Sequence, residues 1–241
     1  MKFDNFENIN KIEPAEQVSW QRNFLTFDID WAEDEVLADS MSLVLATKTK
    51  ATWFATHKTD LLSKIQKCSN WEIGIHPNFN KLLDGSENTS AYEIVQNLLK
   101  IVPDAKSVRS HSLVQSSKLG TIFLDAGITH DSNDYLPSYS QAEVRPFTLE
   151  SGLIKAPYIF SDELWCVKNY SKTDFISLFS RPGLRIFNFH PIHVFLNTES
   201  LDRYESTRRL HKNPKELIKH RYSGYGTRSR LIELLKQAKN S

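Results

Sequence analysis

The sequence predicts an α/β fold, either a parallel sheet covered by helices or a (β/α) barrel. Short apolar segments alternate with helical segments along the 241 residues, which is the order expected of strand–helix units. Acids and histidines follow several of the apolar segments, as they do at the carboxyl ends of barrel strands. Eight glycines and nine prolines are spread without forming a linker, so we expect one domain over residues 1–241.

The elements follow from short β-rich runs and from helical spacing of apolar residues. The predicted strands cover residues 24–30, 51–56, 71–76, 107–112, 127–130, 153–156 and 184–190. The predicted helices cover residues 35–47, 61–67, 91–101, 113–119 and 227–239. Asp34 can cap the first of these helices and Pro103 ends the third.

Composition excludes several classes of protein. Thirty basic side chains balance 29 acidic ones, so a net charge of +1 gives no reason to expect a nucleic-acid partner. Cys68 and Cys166 have no paired spacing, which argues against a disulfide framework or a cysteine zinc site. The acidic N-terminus does not resemble a signal peptide, and no run approaches the ~20 apolar residues of a membrane span. We therefore expect a cytoplasmic protein without a transmembrane segment.

Two aspartates end the first predicted strand. Residues two apart on a strand share a face, so Asp28 and Asp30 would lie side by side. Such a pair repels unless a cation or a shared proton relieves it, and a divalent metal does so directly. Taken alone, the pair is equally compatible with two exposed turn residues that precede a helix.

Histidines follow three of the apolar segments. They are His76, His111, His190 and His193. Imidazole is the commonest zinc ligand and the usual acid–base group near pH 7. One such histidine is more often a core residue than a ligand, whereas three strand ends together with the aspartate pair predict a metal site. No HExxH, CxxC, GxSxG or Walker motif is present, which excludes the usual zinc-peptidase, zinc-ribbon, serine-hydrolase and P-loop interpretations.

These segments, in order, resemble the NodB-homology polysaccharide deacetylases of carbohydrate esterase family 4, closest to the WbmS-like group linked to O-antigen biosynthesis. The matching motifs are TFDID at 26–30, ATWFATH at 51–57, EIGIHPNF at 72–79, VRSHS at 108–112 and FNFHPIH at 187–193. The resemblance implies a single-domain, irregular TIM-like (β/α) barrel. It also implies a metal-dependent hydrolase that removes an N-acetyl group from a sugar or saccharide precursor.

The resemblance implies a role for each motif residue. Asp28 is the base, oriented by Arg109, and the general acid is His190 or His193. Asp30 and His76 bind the metal, which we expect to be zinc, although the ligand types also suit iron, cobalt or manganese. The family's second motif has two histidines four residues apart, but Asn80 stands in the second place. The third ligand is therefore His111 or Asn80.

Substrate contacts are assigned to four residues near the motifs: Trp31, Asn80, Tyr158 and Trp165. Sugars stack on aromatic faces, while core packing is the alternative for each aromatic residue. Asp131 is a candidate to orient the catalytic histidine or is a turn residue. The basic segment 198–230 either contacts an anionic group of a small or lipid-linked saccharide or forms a solvated surface.

Two other functions remain compatible with these residues. One is a metal-dependent hydrolase of a different C–N bond, such as that of a cyclic imide. The other is a saccharide-binding scaffold without activity. The presence of Asn80 where the family motif has its second histidine would favour this function.

Overall fold

The computed structural model describes residues 6–137, 143–168 and 170–239, without the side chains of residues 238 and 239. The predicted domain span of residues 1–241 extends beyond these ranges and stays a prediction. Within them, nine strands form one sheet, which curls into a half-barrel. The predicted α/β, irregular barrel class is therefore confirmed.

The strands are short. Their bounds are Asn23–Asp28 (β1), Ala51–Ala55 (β2), Trp71–Ile75 (β3), Ser107–Val108 (β4), His130–Asp131 (β5), Phe147–Thr148 (β6), Ile154–Lys155 (β7), Phe160–Ser161 (β8) and Arg185–Phe189 (β9). Their order in the sheet is β6-β7-β5-β4-β3-β2-β1-β9-β8, so β3, β2, β1 and β9 form its continuous centre. Neighbouring strands run parallel, apart from β6, which is antiparallel to β7. Parallel order directs the carboxyl ends of β1, β3, β4 and β9 to one rim.

Helices flank this sheet. They are Gln17–Trp20 (α1), Asp34–Thr47 (α2), Leu61–Lys67 (α3), Asn80–Leu83 (α4), Ala91–Leu99 (α5), Ser117–Asp125 (α6), Asp162–Lys168 (α7), Lys172–Ser177 (α8), Pro191–Leu196 (α9), Leu201–Thr207 (α10), Pro214–Leu217 (α11) and Thr227–Lys239 (α12). None of the helices in the described ranges combines the length and apolar character that crossing a bilayer requires.

Aromatic side chains form much of the hydrophobic core around the central strands. Phe27 stacks on Trp53 with ring centroids 4.1 Å apart, and Trp53 meets Trp71 edge-on at 5.5 Å. Phe160 contacts Phe187 and other rings on the far side of β1. All six residues of β1 are buried, because the strand has packed neighbours on both faces. The carboxyl end of β1 is therefore packed against a dense core.

Each predicted strand overlaps an observed strand, although the one over residues 127–130 does so only at His130, and β6 and β8 were not predicted. Both have only two residues, too few for a periodic pattern. The predicted helix over residues 113–119 is wrong in position. A short turn at His111–Leu113 comes first, and α6 begins at Ser117, where the side chain of Ser116 accepts a hydrogen bond from Leu119 N. The cap serine determines that start.

Gly74 in β3 leaves no room for a side chain. A Cβ atom there would lie 2.6 Å from the Phe54 ring and 2.7 Å from Ser107 O. We expect Gly74→Ala to lower the free energy of unfolding by about 1–3 kcal/mol through overpacking, measured by urea denaturation. Gly120→Ala is the control, because its Cβ would meet its nearest neighbour, Leu153, at an ordinary 3.5 Å. Equal stability of the two variants would contradict the packing described for β3.

Candidate active site

A cavity of 360 Å³ opens at the carboxyl rim of the sheet. Its lining residues are Asp28, Asp30, His76, Ser110, His111, Ser112, Leu113, Tyr158, Ser161, Glu163, Leu164, Asn188 and His190. They come from β1, β8 and β9, from the residues that directly follow β1, β3, β4 and β9, from the segment before β8 and from the start of α7. Most of the ionisable residues predicted from strand ends therefore meet in one place.

Asp28, the last residue of β1, forms a buried ion pair with Arg109. Arg109 Nη1 lies 3.1 Å from Asp28 Oδ1, and Asn188 Nδ2 donates to Asp28 Oδ2 at 2.7 Å. The guanidinium also donates to Ser132 O at 2.9 Å and to Thr26 Oγ1 at 2.9 Å. Burial tends to raise the pKa of Asp28, but Arg109, His76 and His190 outweigh it and lower that pKa. The carboxylate is thus ionised and held in one orientation.

Asp30 does not continue the strand, which corrects the expectation that Asp28 and Asp30 share a strand face. β1 ends at Asp28, and the backbone turns through Asp30 (φ 40°) and Trp31 (φ 53°). Thr56 Oγ1 accepts a hydrogen bond from Trp31 N at 3.1 Å, and Lys212 Nζ donates to Trp31 O at 3.0 Å. Left-handed conformation at non-glycine residues costs roughly 1–2 kcal/mol each. The turn brings the Asp30 side chain beside Asp28 by a different route from the one predicted.

Side chains from the segments that follow β1, β3 and β4 converge beside Asp28. Asp30 Oδ1 lies 3.2 Å from His76 Nε2 and 3.3 Å from His111 Nδ1, and the two histidine nitrogens are 3.4 Å apart. Zinc ligands at about 2.0–2.1 Å in a tetrahedron lie ~3.3 Å from one another. Asp30 Oδ1 is buried without a hydrogen-bond partner in the described residues. One carboxylate oxygen and two imidazole nitrogens at these distances fit a divalent metal.

Asn80 lies away from this cluster. It is an exposed residue at the start of α4, and its Nδ2 donates to Ser112 Oγ at 3.2 Å. It is absent from the residues that line the cavity. Of the two candidates for the third ligand, the structure therefore brings His111, and not Asn80, to Asp30 and His76. The predicted substrate contact at Asn80 is not supported either.

His190 faces the aspartates from the end of β9. Its Nε2 lies 3.7 Å from Asp28 Oδ2 and 3.6 Å from Asp30 Oδ2, while its Nδ1 lies 2.6 Å from Asp162 Oδ1. The backbone N–H of His190 donates to Asp162 Oδ2 at 2.8 Å. Burial opposes a charge on this imidazole, but Asp162, with Asp30 and Asp28, raises the pKa of His190 to about 10. His190 is therefore a protonated acid with a fixed ring.

The geometry agrees with comparisons to known proteins. A family model described as WbmS-like polysaccharide deacetylase matches residues 25–208. The chain belongs to the WbmS-like polysaccharide deacetylase family. A solved structure from Bordetella bronchiseptica, described as a candidate polysaccharide deacetylase involved in O-antigen biosynthesis, is 38% identical, with a TM-score of 0.92 and 98% coverage of both chains. No curated protein matches the chain.

A more distant solved structure shares the fold. A candidate polysaccharide deacetylase of Mycobacterium smegmatis is 16% identical, with a TM-score of 0.50, and the alignment covers 95% of this chain and 96% of that one. At this identity the match supports the deacetylase-like architecture and nothing finer.

Three predicted roles do not fit the positions of their residues in the structure. His193 is buried in α9, its Nδ1 lies 3.2 Å from Thr198 Oγ1, and burial lowers its pKa to about 4. It does not line the cavity, so His190 is the only one of the two acid candidates placed there. Trp165 is fully buried against Phe160 and is a core residue rather than a groove residue. Asp131 pairs with Lys155 at 2.9 Å instead of orienting a histidine.

Of the two remaining aromatic candidates, Tyr158 lines the cavity and Trp31 lies beside His111. Tyr158 packs on the Arg109 guanidinium, 4.6 Å from ring centroid to Cζ. Burial raises the pKa of Tyr158, so its hydroxyl stays protonated and can donate a hydrogen bond. Trp31 is 39% exposed and meets His111 edge-on at 5.3 Å. That Tyr158 and Trp31 contact the substrate remains a prediction.

Asp162 and Asn188 were missed by sequence analysis. Asn188 lies between Phe187 and Phe189, shortly before His190. A polar residue within an otherwise apolar strand was the feature of the sequence that could have indicated a functional role. Asp162 gave no such signal, because it follows a two-residue strand and resembles an ordinary residue at the start of a helix. Only the fold reveals that it faces His190.

Asp162→Asn is expected to lower the pKa of His190 by about 1–3 pH units, because the nearest opposing charge is lost. In the wild-type protein the pKa of His190 is raised from the ordinary value of 6.5 to about 10. The imidazole of the variant should therefore lose its proton at a lower pH than the wild-type imidazole does. NMR titration of the imidazole in metal-free protein measures this. Asp131→Asn is the control, since Asp131 pairs with Lys155. Equal His190 titration in wild type and Asp162→Asn would disprove the assigned pairing.

Proposed function

We propose that this chain is a metal-dependent deacetylase that hydrolyses an N-acetyl group on a sugar or saccharide precursor. The observation that carries the proposal is the convergence of Asp30, His76 and His111 at 3.2–3.4 Å, directly beside the ionised Asp28. Membership of the polysaccharide deacetylase family supports the reaction type.

Asp30, His76 and His111 would hold the metal, and their nitrogen and oxygen donors suit zinc. When bound, such an ion lowers the pKa of a coordinated water molecule and polarises the substrate carbonyl. His76 Nδ1 lies 3.7 Å from Asp28 Oδ1, which is too long for a hydrogen bond, so the buried carboxylate acts on this ligand ring only through its charge.

Asp28 acts as the general base. Its pKa is lowered, so it is ionised at neutral pH and can accept a proton from the attacking water. Arg109 and Asn188 occupy one lone pair on each carboxylate oxygen and hold the group in place. The side chain remains at the cavity surface, where water and substrate have access.

His190 acts as the general acid on the opposite wall. Asp162 fixes the Nδ1 side, which directs Nε2 toward Asp28 and Asp30. With its pKa raised to about 10, His190 carries the proton needed by the departing amine at neutral pH. The Tyr158 hydroxyl, kept protonated by burial, can donate to the carbonyl oxygen as it gains negative charge.

The substrate class rests on the relative from Bordetella bronchiseptica, which is described as involved in O-antigen biosynthesis. This relative is 38% identical over 98% of the chain. We propose that the substrate is an acetylated amino sugar of a lipopolysaccharide precursor, either free, nucleotide-linked or lipid-linked. Exposed Trp31 beside His111 offers an aromatic face for the sugar.

The test is acetate release from a panel of N-acetylated sugars and nucleotide sugars. Chelator-treated protein should be inactive, and added zinc should restore acetate release. Sugar binding without acetate release by metal-loaded protein would instead support a saccharide-binding scaffold. Metal-dependent ammonia or carbamoyl release from a cyclic imide, without acetate release from sugars, would favour the other C–N hydrolase.

A further inference from the structure

We propose that a buried lysine cluster outside the cavity positions the His111 loop and thereby makes His111 competent as a metal ligand. The loop spans residues 110–115. The lysine cluster consists of Lys155, Asp131, Asn133 and Asp134, and it contacts Gln115 at the end of the loop. This inference rests on the proposed function, because it concerns the affinity of the same metal site.

Lys155 is the centre of the cluster. It is 5% exposed, and its Nζ lies 2.9 Å from Asp131 Oδ2 and 2.9 Å from Asp134 Oδ2. The same ammonium donates to Gln115 Oε1 at 3.0 Å. A lysine is rarely buried unless it is paired, and none of these groups lines the catalytic cavity. Its partners indicate a structural use for the charge.

The cluster reaches both ends of the His111 loop. At the first end, Asp131 Oδ1 accepts from Asn133 N at 2.8 Å, and Asn133 Oδ1 accepts from Ser110 N at 2.7 Å. Ser110 is fully buried and directly precedes His111. At the second end, Gln115 binds Lys155 directly and donates to Asp134 Oδ1 at 3.3 Å. The loop is thus held on either side of the metal-facing residue.

The loop needs such support because its backbone is unfavourable. Ser112 (φ 57°) and Leu113 (φ 55°) are consecutive non-glycine residues in the left-handed region. β4 before the loop has only two residues, so the sheet anchors it weakly. His111 N donates to Pro77 O at 2.9 Å, which supports one point of the loop. Without the contacts of the lysine cluster, the loop would lower its free energy by leaving the conformation that presents His111 Nδ1 to Asp30 and His76.

Asn133 and Gln115 are therefore positioning residues for the third ligand. Groups that orient a metal ligand without touching the metal typically change its affinity by 10–100-fold when removed. Asn133→Ala removes the acceptor of Ser110 N, and Gln115→Ala releases the opposite end. Asn23→Ala is a matched control, because Asn23 is also buried and accepts one side-chain bond, from Arg185 Nε at 2.8 Å, at the amino end of β1.

The experiment measures zinc affinity by competition with a chromophoric chelator and records the visible spectrum of cobalt-loaded protein. Asn133→Ala and Gln115→Ala should bind zinc at least 10-fold more weakly than wild type, with an altered cobalt spectrum. Asn23→Ala should keep the wild-type affinity and spectrum even if its thermal stability falls. His111→Ala should bind zinc more weakly than either positioning variant.

Wild-type affinity and an unchanged cobalt spectrum in both positioning variants, with weaker binding in His111→Ala, would overturn this inference and leave the proposed function standing. An equal loss of affinity in Asn23→Ala would also overturn it, since general destabilisation would then explain the effect. Failure of wild-type protein to take up zinc or cobalt would overturn the proposed function itself, and this inference with it.

Discussion

Asp28→Asn is expected to lower kcat for acetate release by about 10²–10⁴-fold while metal content stays unchanged, because the variant loses the general base and keeps the ligands. The amide is nearly isosteric with the carboxylate and can still accept from Arg109. Arg109 also keeps its bonds to Ser132 and Thr26, which should preserve the local fold. Acetate release and elemental analysis of the same preparation provide the two readouts.

Asp30→Asn is the paired comparison. Asp30 Oδ1 belongs to the cluster with His76 and His111, so this variant should lose metal as well as activity. The two aspartates are thus distinguished by metal content rather than by rate. Loss of metal in Asp28→Asn, or near wild-type activity in that variant, would contradict the base assignment.

Arg109→Met is expected to produce the largest loss of stability, about 3–5 kcal/mol in the free energy of unfolding. Arg109 is fully buried, and the substitution leaves the Asp28 carboxylate buried without its ion-pair partner. The measurement is urea denaturation at neutral pH. Because Arg109 also lowers the pKa of Asp28, the variant should in addition require a higher pH for activity.

Two controls isolate the buried pair. Arg208→Met removes an exposed ion pair with Glu205 and should cost no more than about 1 kcal/mol. The double variant Asp28→Leu, Arg109→Met removes both charges and should recover much of the lost stability, since no uncompensated buried charge remains. Equal losses in the single and double variants would show that packing, and not charge pairing, explains the effect.

Much of the fold and part of the site could be predicted from the sequence. The longer strands were recognised because β1, β2, β3 and β9 are dense in apolar and aromatic residues. Parallel order then placed their carboxyl ends together, so Asp28, His76 and His190 could be expected to meet. The third ligand could be narrowed to His111 or Asn80 and no further, because the choice depends on how a loop turns.

The remaining features depend on contacts that periodicity does not encode. Trp165 lies near the motif positions in sequence, yet it packs against Phe160 in the core. His193 is one helical turn from His190 and faces Thr198 instead of the cavity. Asp162 comes from a separate strand–helix junction, and only the pairing of β8 with β9 brings it beside His190.

The most direct test of the account is the metal content of wild-type protein and of four variants, purified without chelator and measured by elemental mass spectrometry. The variants are Asp30→Ala, His76→Ala, His111→Ala and Asn80→Ala. The account predicts close to one divalent metal per chain in wild type and in Asn80→Ala, and loss of metal in the other three. Metal retained in His111→Ala but lost in Asn80→Ala would contradict the ligand set, and no metal in wild type after reconstitution would contradict the metal-dependent mechanism.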